Sequence, residues 1–276
     1  MRFRPCCVLA TVLLASLSPS SLFAGVPFEA LGDLTADELQ KKSDELKEQK
    51  YRLVDLNAFI HDGTVRYCAV WLKQDGPESE AIRNLTTKEL QAKTDALKEK
   101  GHRLTRLSAV ATDGELRYCA IWQKTDADLL WHANLSDKEL VEKTDTYRAR
   151  GYLVVELSAC VVKGEVRHCA VWQKRESEGY ESHGNLTGKE VQERTDAYLP
   201  AGYRVMRCGE FVLDGELRFY GVWEKKKSGF WAAHTNLNAK ELKEKTDGYK
   251  EKGYHIVTLN AAVVDGEVRY CAVWEK

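Results

Sequence analysis

The sequence predicts an α+β fold: five tandem repeats of a helix and a β-hairpin, forming a curved, mostly antiparallel sheet with helices on one face. Three observations carry this reading. DGTVRYCAVW at 62–71 returns as DGELRYCAIW, KGEVRHCAVW, DGELRFYGVW and DGEVRYCAVW. The hairpin glycines Gly63, Gly114, Gly164, Gly215 and Gly266 lie 51, 50, 51 and 51 residues apart, and Trp71, Trp122, Trp172, Trp223 and Trp274 keep the same steps. A helix-start signature precedes each copy. Such a period marks stacked units of one supersecondary element, so the repeats are read as 33–73, 84–124, 134–174, 185–225 and 236–276 of a single array over 26–276.

Each helix start is written twice. Thr35, Thr86, Ser136, Thr187 and Asn238 stand at the cap, with Glu38, Glu89, Glu139, Glu190 and Glu241 three residues on, the spacing of a capping box. Leu34, Leu85, Leu135, Leu186 and Leu237 precede the caps, and Leu39, Leu90, Leu140, Val191 and Leu242 follow them at the interval of a hydrophobic staple. The inward stripe continues through Thr94 and Leu97 in the second copy and Thr246 and Tyr249 in the fifth. Gly101, Gly151, Gly202 and Gly253 then supply the left-handed residue that ends the helix.

Two strands follow, joined by Asp-Gly, or Lys-Gly in the third copy, which suits a two-residue turn with positive φ. Counting outward from Asp62 and Gly63 sets Ile60, Ala58, Leu56 and Val54 opposite Val65, Tyr67, Ala69 and Trp71. That apolar side takes the helix. The other side carries Phe59, Asn57 and Asp55 opposite Arg66, Cys68 and Val70, a mixed face open to solvent, a groove or a barrel interior. Linkers of 13 or 14 residues join each tryptophan to the next cap. Equivalent repeats favour one rotation applied five times, so about ten strands are expected to curl as a half barrel or a closed barrel.

Residues 1–25 join Arg2 and Arg4 to an apolar run from Cys6 to Leu17 and then to small and polar residues, the pattern of a signal peptide. The run is shorter than the about 20 residues that span a bilayer, so the mature chain is expected to be secreted or periplasmic and not membrane-spanning. The whole chain carries 41 Lys and Arg against 42 Asp and Glu, and loss of Arg2 and Arg4 takes the net charge from −1 to −3. No basic excess draws it to nucleic acid.

A helix followed by GYxxxxL, a DG turn and RYCAVW, as in Gly253 to Trp274, resembles the bacterial tandem repeat domain family, whose repeat also forms the amino-terminal part of fungal polyglycine hydrolases. The resemblance covers about residues 33–276. It implies an exported repeat protein. In those hydrolases the catalytic serine belongs to a separate penicillin-binding, β-lactamase-like domain, to which nothing in this sequence corresponds. The resemblance therefore assigns no catalytic residue.

The candidate binding residues are Arg66, Arg117, Arg167, Arg218 and Arg269, which fall on the mixed face and could form a ladder for an anionic polymer. Glu115, Glu165, Glu216 and Glu267, two residues earlier, could instead neutralise them. Trp131, Tyr180 and Trp231 differ between linkers and are the alternative contact residues. Asp44, Asp95, Asp145, Asp196 and Asp247 read as structural partners of a neighbouring unit. His132, His183 and His234 recur in the linkers, but equivalent positions two strands, roughly 10 Å, apart are too distant to share a zinc ion. Packing against Trp131 or Trp231 is expected for them, and no metal or cofactor is.

The same distance argument excludes disulfides among Cys68, Cys119, Cys169 and Cys271. It leaves Cys160 and Cys169 as the nearest pair and Cys208 as a leucine substitute in the core. Asn84, Asn134 and Asn185 match the glycosylation acceptor pattern, although capping already accounts for their Thr or Ser. GxSxG, HExxH and phosphate-cradling glycine motifs are absent. The expected function is an exported scaffold that binds a protein or cell-envelope polymer, and not an enzyme. The alternatives are an enzyme of unfamiliar type, its site assembled from residues that differ between copies such as His168, and a purely structural spacer.

Overall fold

A computed structural model describes residues 25–226 and 229–276. The leader expected over 1–25 lies, but for Gly25, outside them. The first repeat is β1 (Phe28–Leu34), α1 (Ala36–Glu48), β2 (Arg52–His61) and β3 (Thr64–Leu72). The second is β4 (Ser79–Leu85), α2 (Thr87–Lys98), β5 (His102–Thr112) and β6 (Glu115–Lys124), and the third β7 (Leu129–Leu135), α3 (Asp137–Arg148), β8 (Tyr152–Val162) and β9 (Glu165–Lys174). The fourth is β10 (Tyr180–Thr187), α4 (Gly188–Tyr198), β11 (Tyr203–Leu213) and β12 (Glu216–Lys225), and the fifth β13 (Trp231–Leu237), α5 (Ala239–Glu251), β14 (His255–Val264) and β15 (Glu267–Glu275).

All five capping boxes form, and each helix packs on its own sheet. Both turn residues have positive φ, 48° at Asp62 and 70° at Gly63 in the first copy. The linkers depart from expectation, because each ends in a strand that pairs antiparallel with the second hairpin strand. The described chain therefore holds fifteen strands in five separate three-stranded sheets, ordered linker strand, second hairpin strand, first hairpin strand. This corrects the expectation of one curved sheet of about ten strands: no hydrogen-bonded barrel forms, half or closed.

The sheets behave as blades. Their innermost strands touch in the order β2, β5, β8, β11, β14, and β14 returns to β2. Side chains at one repeat position stitch these strands together: Ser108 Oγ donates to Leu56 O (3.3 Å), Ser158 Oγ to Leu107 O (2.9 Å), and Asn260 Oδ1 accepts from the Glu210 N–H (2.9 Å). Asn57 Nδ2 does the same across the seam, donating to Leu259 O at 2.9 Å. The ring thus closes between its first and last blades by the device used inside it.

The mixed face is not open. The side that takes the helix also takes the next blade, so one core cluster joins Leu39, Leu46, Tyr67 and Trp71 of the first repeat to Val110, Cys119 and Ile121 of the second. At the seam Leu237, Leu259 and Trp274 pack on Phe59, Cys68 and Val70. Each blade buries both faces, and the five repeat tryptophans are at most 1 % exposed. A large apolar area removed from water at every blade interface holds the ring together.

Face-to-face stacking also corrects the cysteine reading. Leu56, Leu107, Leu157 and Leu259 share clusters with Cys119, Cys169, Tyr220 and Cys68 of the following blade. In the fourth repeat this leucine is Cys208, which meets Cys271 at a Cα separation of 6.6 Å and forms a disulfide with it. No pair forms among the four equivalent cysteines, as strand counting requires, but the reading of Cys208 as only a leucine substitute is overturned, because Cys208 and Cys271 are non-equivalent positions on facing sheets. Cys68, Cys119, Cys160 and Cys169 are free thiols.

Candidate functional site

A break in register builds the site. In every inner strand one residue is bulged out of the ladder, between Leu53 and Asp55 in the first blade and at the same point in the others. A bulge re-aims its side chain and kinks the strand. Here Val54, Thr105, Val155, Met206 and Val257 all turn into a cavity of about 880 Å³ on the ring axis. The bulge also shifts the pairing, so that Leu53 and not Val54 stands opposite Trp71.

One residue further along stands a polar layer to which every blade contributes: Asp55, Glu156 and Thr258, all buried, and Arg106 and Arg207, half-buried. Arg106 Nε lies 3.9 Å from Asp55 Oδ1 and 3.3 Å from Glu156 Oε2, and Arg207 Nε reaches the same Glu156 oxygen at 3.3 Å. The Arg207 guanidinium also donates to Thr258 Oγ1 at 2.7 Å. Asp55 Oδ2 closes the layer by accepting from the Leu259 N–H (3.0 Å) and Asn57 Nδ2 (3.1 Å). Burial raises the Asp55 carboxyl above its ordinary range against the pull of Arg207 and Arg106, and raises Glu156 to about 7. Arg106 and Arg207 line the cavity, whose mouth carries Lys124, Arg175, Glu224, Lys226, His255 and Glu275. These charges are largely paired: Arg175 grips Glu224 with both terminal nitrogens, Lys226 lies 3.4 Å from Glu224, and His255 lies 3.7 Å from Glu275. The site offers an apolar wall over a charged, ion-paired floor, in which Arg106 Nε, Arg207 Nε and Glu156 Oε2 are buried without a hydrogen-bond partner among the described residues.

The fourth blade departs most from the repeat. Gly209 and Tyr220 face each other where the other blades pair Asn57, Ser108, Ser158 and Asn260 with cysteine. A Cβ on Gly209 would stand 2.0 Å from Tyr220 Oη, so the ring occupies the space the other side chains use. Glu210 stands where the others have alanine. It is 2 % exposed, accepts from the Asn236 N–H at 3.1 Å, and is pushed up to about 8 by burial.

The structure spreads the sequence-predicted residues away from the axis. Arg117 and Arg218 pair with Glu115 (3.3 Å) and Glu216 (3.1 Å), Arg167 and Arg269 pair with Glu165 and Glu267, and Arg66 Nε lies 3.9 Å from Asp33. These arginines stand on five separate sheets, so no ladder runs along one sheet. Tyr180 is buried, its hydroxyl accepting from the Val154 N–H at 3.0 Å. Trp131 is half-buried against Cys169 and Val171, and Trp231 half-buried against Cys271 and Val273. His132, His183 and His234 bond to Tyr147, Tyr198 and Tyr249 at 2.6, 2.9 and 2.8 Å. They pack on Trp172, Trp223 and Trp274, not on Trp131 or Trp231. His168 is fully buried, with Nε2 2.5 Å from Asp137 Oδ1.

One further expectation is corrected. Asp44, Asp95, Asp196 and Asp247 take partners within their own helices, Gln40, Gln91, Gln192 and Lys243, because each stands one turn away on an exposed face. Asn84, Asn134 and Asn185 have φ of 60°, 58° and 51° at a bulge in the linker strand. That conformation, which asparagine tolerates better than most residues, accounts for the asparagine of the NLT and NLS triplets.

The polar layer was missed because its residues share no type, and a search for recurring residues passes over a position that reads Asp, Arg, Glu, Arg, Thr. The signal available was that very variability beside invariant neighbours. Five consecutive segments, 25–74, 76–125, 131–175, 177–226 and 229–276, match the family described as polyglycine hydrolase-like, structural repeat. With these segments covering nearly all of the described residues, the chain belongs to the polyglycine hydrolase-like structural repeat family.

Proposed function

We propose that the protein is an exported, non-enzymatic binding scaffold that receives part of a partner, a protein segment or cell-envelope polymer, in its axial cavity. The supporting observation is the breakdown of repeat identity at the axis: blades alike in caps, turns and tryptophans carry Asp55, Arg106, Glu156, Arg207 and Thr258 at one position beside a shared recess. A volume of about 880 Å³ lies in the range of ligand sites, about 300–1,000 Å³. Paired charges around an apolar wall favour a neutral or zwitterionic segment over a highly charged one, since a charged ligand would have to displace existing ion pairs.

An enzymatic reading comes second. It is motivated by the same non-equivalent constellation, the arrangement catalysis requires. Against it, Asp55, Glu156, Arg106 and Arg207 are held by one another, leaving no nucleophile beside a free base. The test is retention of the chain on envelope material. Val155→Trp, which fills the cavity from its wall, should abolish retention, whereas replacing Arg117, Arg167 and Arg218 together by glutamine should leave it intact. The reverse outcome would move recognition to the outer arginines. Export is tested by sequencing the mature amino terminus, expected near Gly25 or Val26.

A further inference from the structure

A second cavity, of about 830 Å³, lies between the fourth and fifth blades. It opens because α4 is the loosest of the first four helices. The staple residue is Leu39, Leu90 or Leu140 in the first three helices, buried in each case, but in α4 it is Val191, and α4 buries none of its side chains. A shorter side chain leaves space beneath the helix that the neighbouring blade does not fill. One wall is the linker strand β13, the outer strand of its sheet, which presents Trp231 through Thr235 consecutively to the cleft.

The chemistry of the lining differs from that of the other described cavities. Tyr203, Trp231, Tyr249 and Tyr254 supply aromatic rings, Arg204, Lys226, Lys245 and Lys252 supply positive charge, and no aspartate or glutamate among the described residues lines the cleft. Lys226 is shared with Glu224. Arg204, Lys245 and Lys252 form no ion pair with a carboxylate among the described residues, and the buried Nε of Arg204 has no hydrogen-bond partner. Phe230, 66 % exposed, immediately precedes Trp231. A carboxylate-free, cation-bearing aromatic cleft complements a ligand that has flat C–H faces, many hydroxyls and negative charge. Pyranose rings stack on aromatic faces, their hydroxyls bond to edge-strand N–H and C=O groups, and their carboxylates pair with arginine and lysine.

We propose that this cleft is a subsite for an acidic oligosaccharide of the uronate type. An acidic peptide adding to β13 is disfavoured, because the register breaks between His234 and Leu237, where Asn236 has φ of 56°. Regular pairing would therefore span few residues. Of the cleft residues named here only Lys226 also stands at the mouth of the axial cavity, and the proposal does not rest on that cavity's occupant.

The test titrates the full chain with trigalacturonate by calorimetry, with maltotriose as the neutral sugar and triglutamate as the acidic peptide. Trigalacturonate should bind, and its affinity should fall at least tenfold between 50 and about 300 mM salt, as contacts with exposed charge do. Trp231→Ala and the double variant Arg204→Gln with Lys252→Gln should each weaken binding at least tenfold. Trp231→Phe should restore most of it, and Val155→Trp in the axial cavity should change nothing. Circular dichroism of each variant reports folding, and Trp231→Phe keeps the test decisive should the alanine variant unfold. Equal binding of maltotriose, tighter binding of triglutamate, no heat with trigalacturonate, or full affinity in a folded Trp231→Ala variant would each overturn the proposal.

Discussion

Gly209 and Tyr220 should be energetically inseparable. Any side chain at Gly209 begins 2.0 Å from Tyr220 Oη and 2.1 Å from its Cζ, and Tyr220 is itself buried, 3 % exposed. Gly209→Ser alone should therefore cost about 2–3 kcal/mol, the upper range for overpacking a core. Tyr220→Cys alone removes a buried ring and should cost about 3 kcal/mol, as large-to-small core changes do. The double variant recreates the Ser158–Cys169 pair of the third blade. It should lose about 2–3 kcal/mol, not the about 5–6 kcal/mol of the summed singles, a coupling of about 3 kcal/mol. Urea unfolding followed by tryptophan fluorescence and far-ultraviolet circular dichroism measures all four corners of the cycle. Additivity within about 0.5 kcal/mol would mean that the two positions do not share one space and that the account of the fourth blade is wrong.

Reduction of Cys208–Cys271, whose partners are 63 positions apart in sequence, should cost up to about 4 kcal/mol by the loop-entropy estimate. Cys208→Leu, the residue of the other four repeats, should recover part of that, and thermal melts with and without reductant decide the matter. Burial lowers the pKa of His132, and lowers His183 and His234 to about 4, so these side chains bind protons more weakly folded than unfolded. Stability should fall as pH drops from about 6.5 toward 4, and His183→Phe with His234→Phe should flatten that slope in chemical denaturation. Glu210, raised from 4.5 to about 8, binds its proton more tightly when folded, so its contribution falls as pH rises across that window. Glu210→Ala should gain on wild type progressively from pH 4.5 to 8, and a constant difference would contradict the burial of that carboxyl.

Where a local rule sets the outcome, the sequence could be read directly. Capping boxes, staples and Asp-Gly turns each involve residues within five positions of one another, and all five copies form as expected. The hairpin register was legible as far as Asp55, beyond which the bulge at Val54 displaces Trp71 onto Leu53. Bulges are set by tertiary fit, and valine, threonine and methionine at that position carry no local mark of one. The third strand was illegible for a related reason. Its segments, from FEALGDL to WAAHTNL, share little composition, since an outer strand needs backbone pairing more than particular side chains. Once blades replaced one continuous sheet, the arginine row no longer ran along one sheet, and Cys271 gained a partner on the facing blade.

The axial layer has an arithmetic of its own. Opposite charges can alternate without conflict around a ring with an even number of members, but around five members two neighbours must be alike or one must be neutral. Asp55, Arg106, Glu156 and Arg207 alternate, and Thr258 takes the fifth place between Arg207 and Asp55. That order tells each blade which neighbours it can accept. Moving the chain ends to another linker keeps every neighbour and should leave the layer undisturbed. Duplicating the second or fourth repeat would set two half-buried arginines side by side, and duplicating the first or third would do the same with two buried carboxylates. Duplicating the fifth adds only a second neutral member, so the fifth repeat is the one copy through which this array could lengthen without burying like charges together.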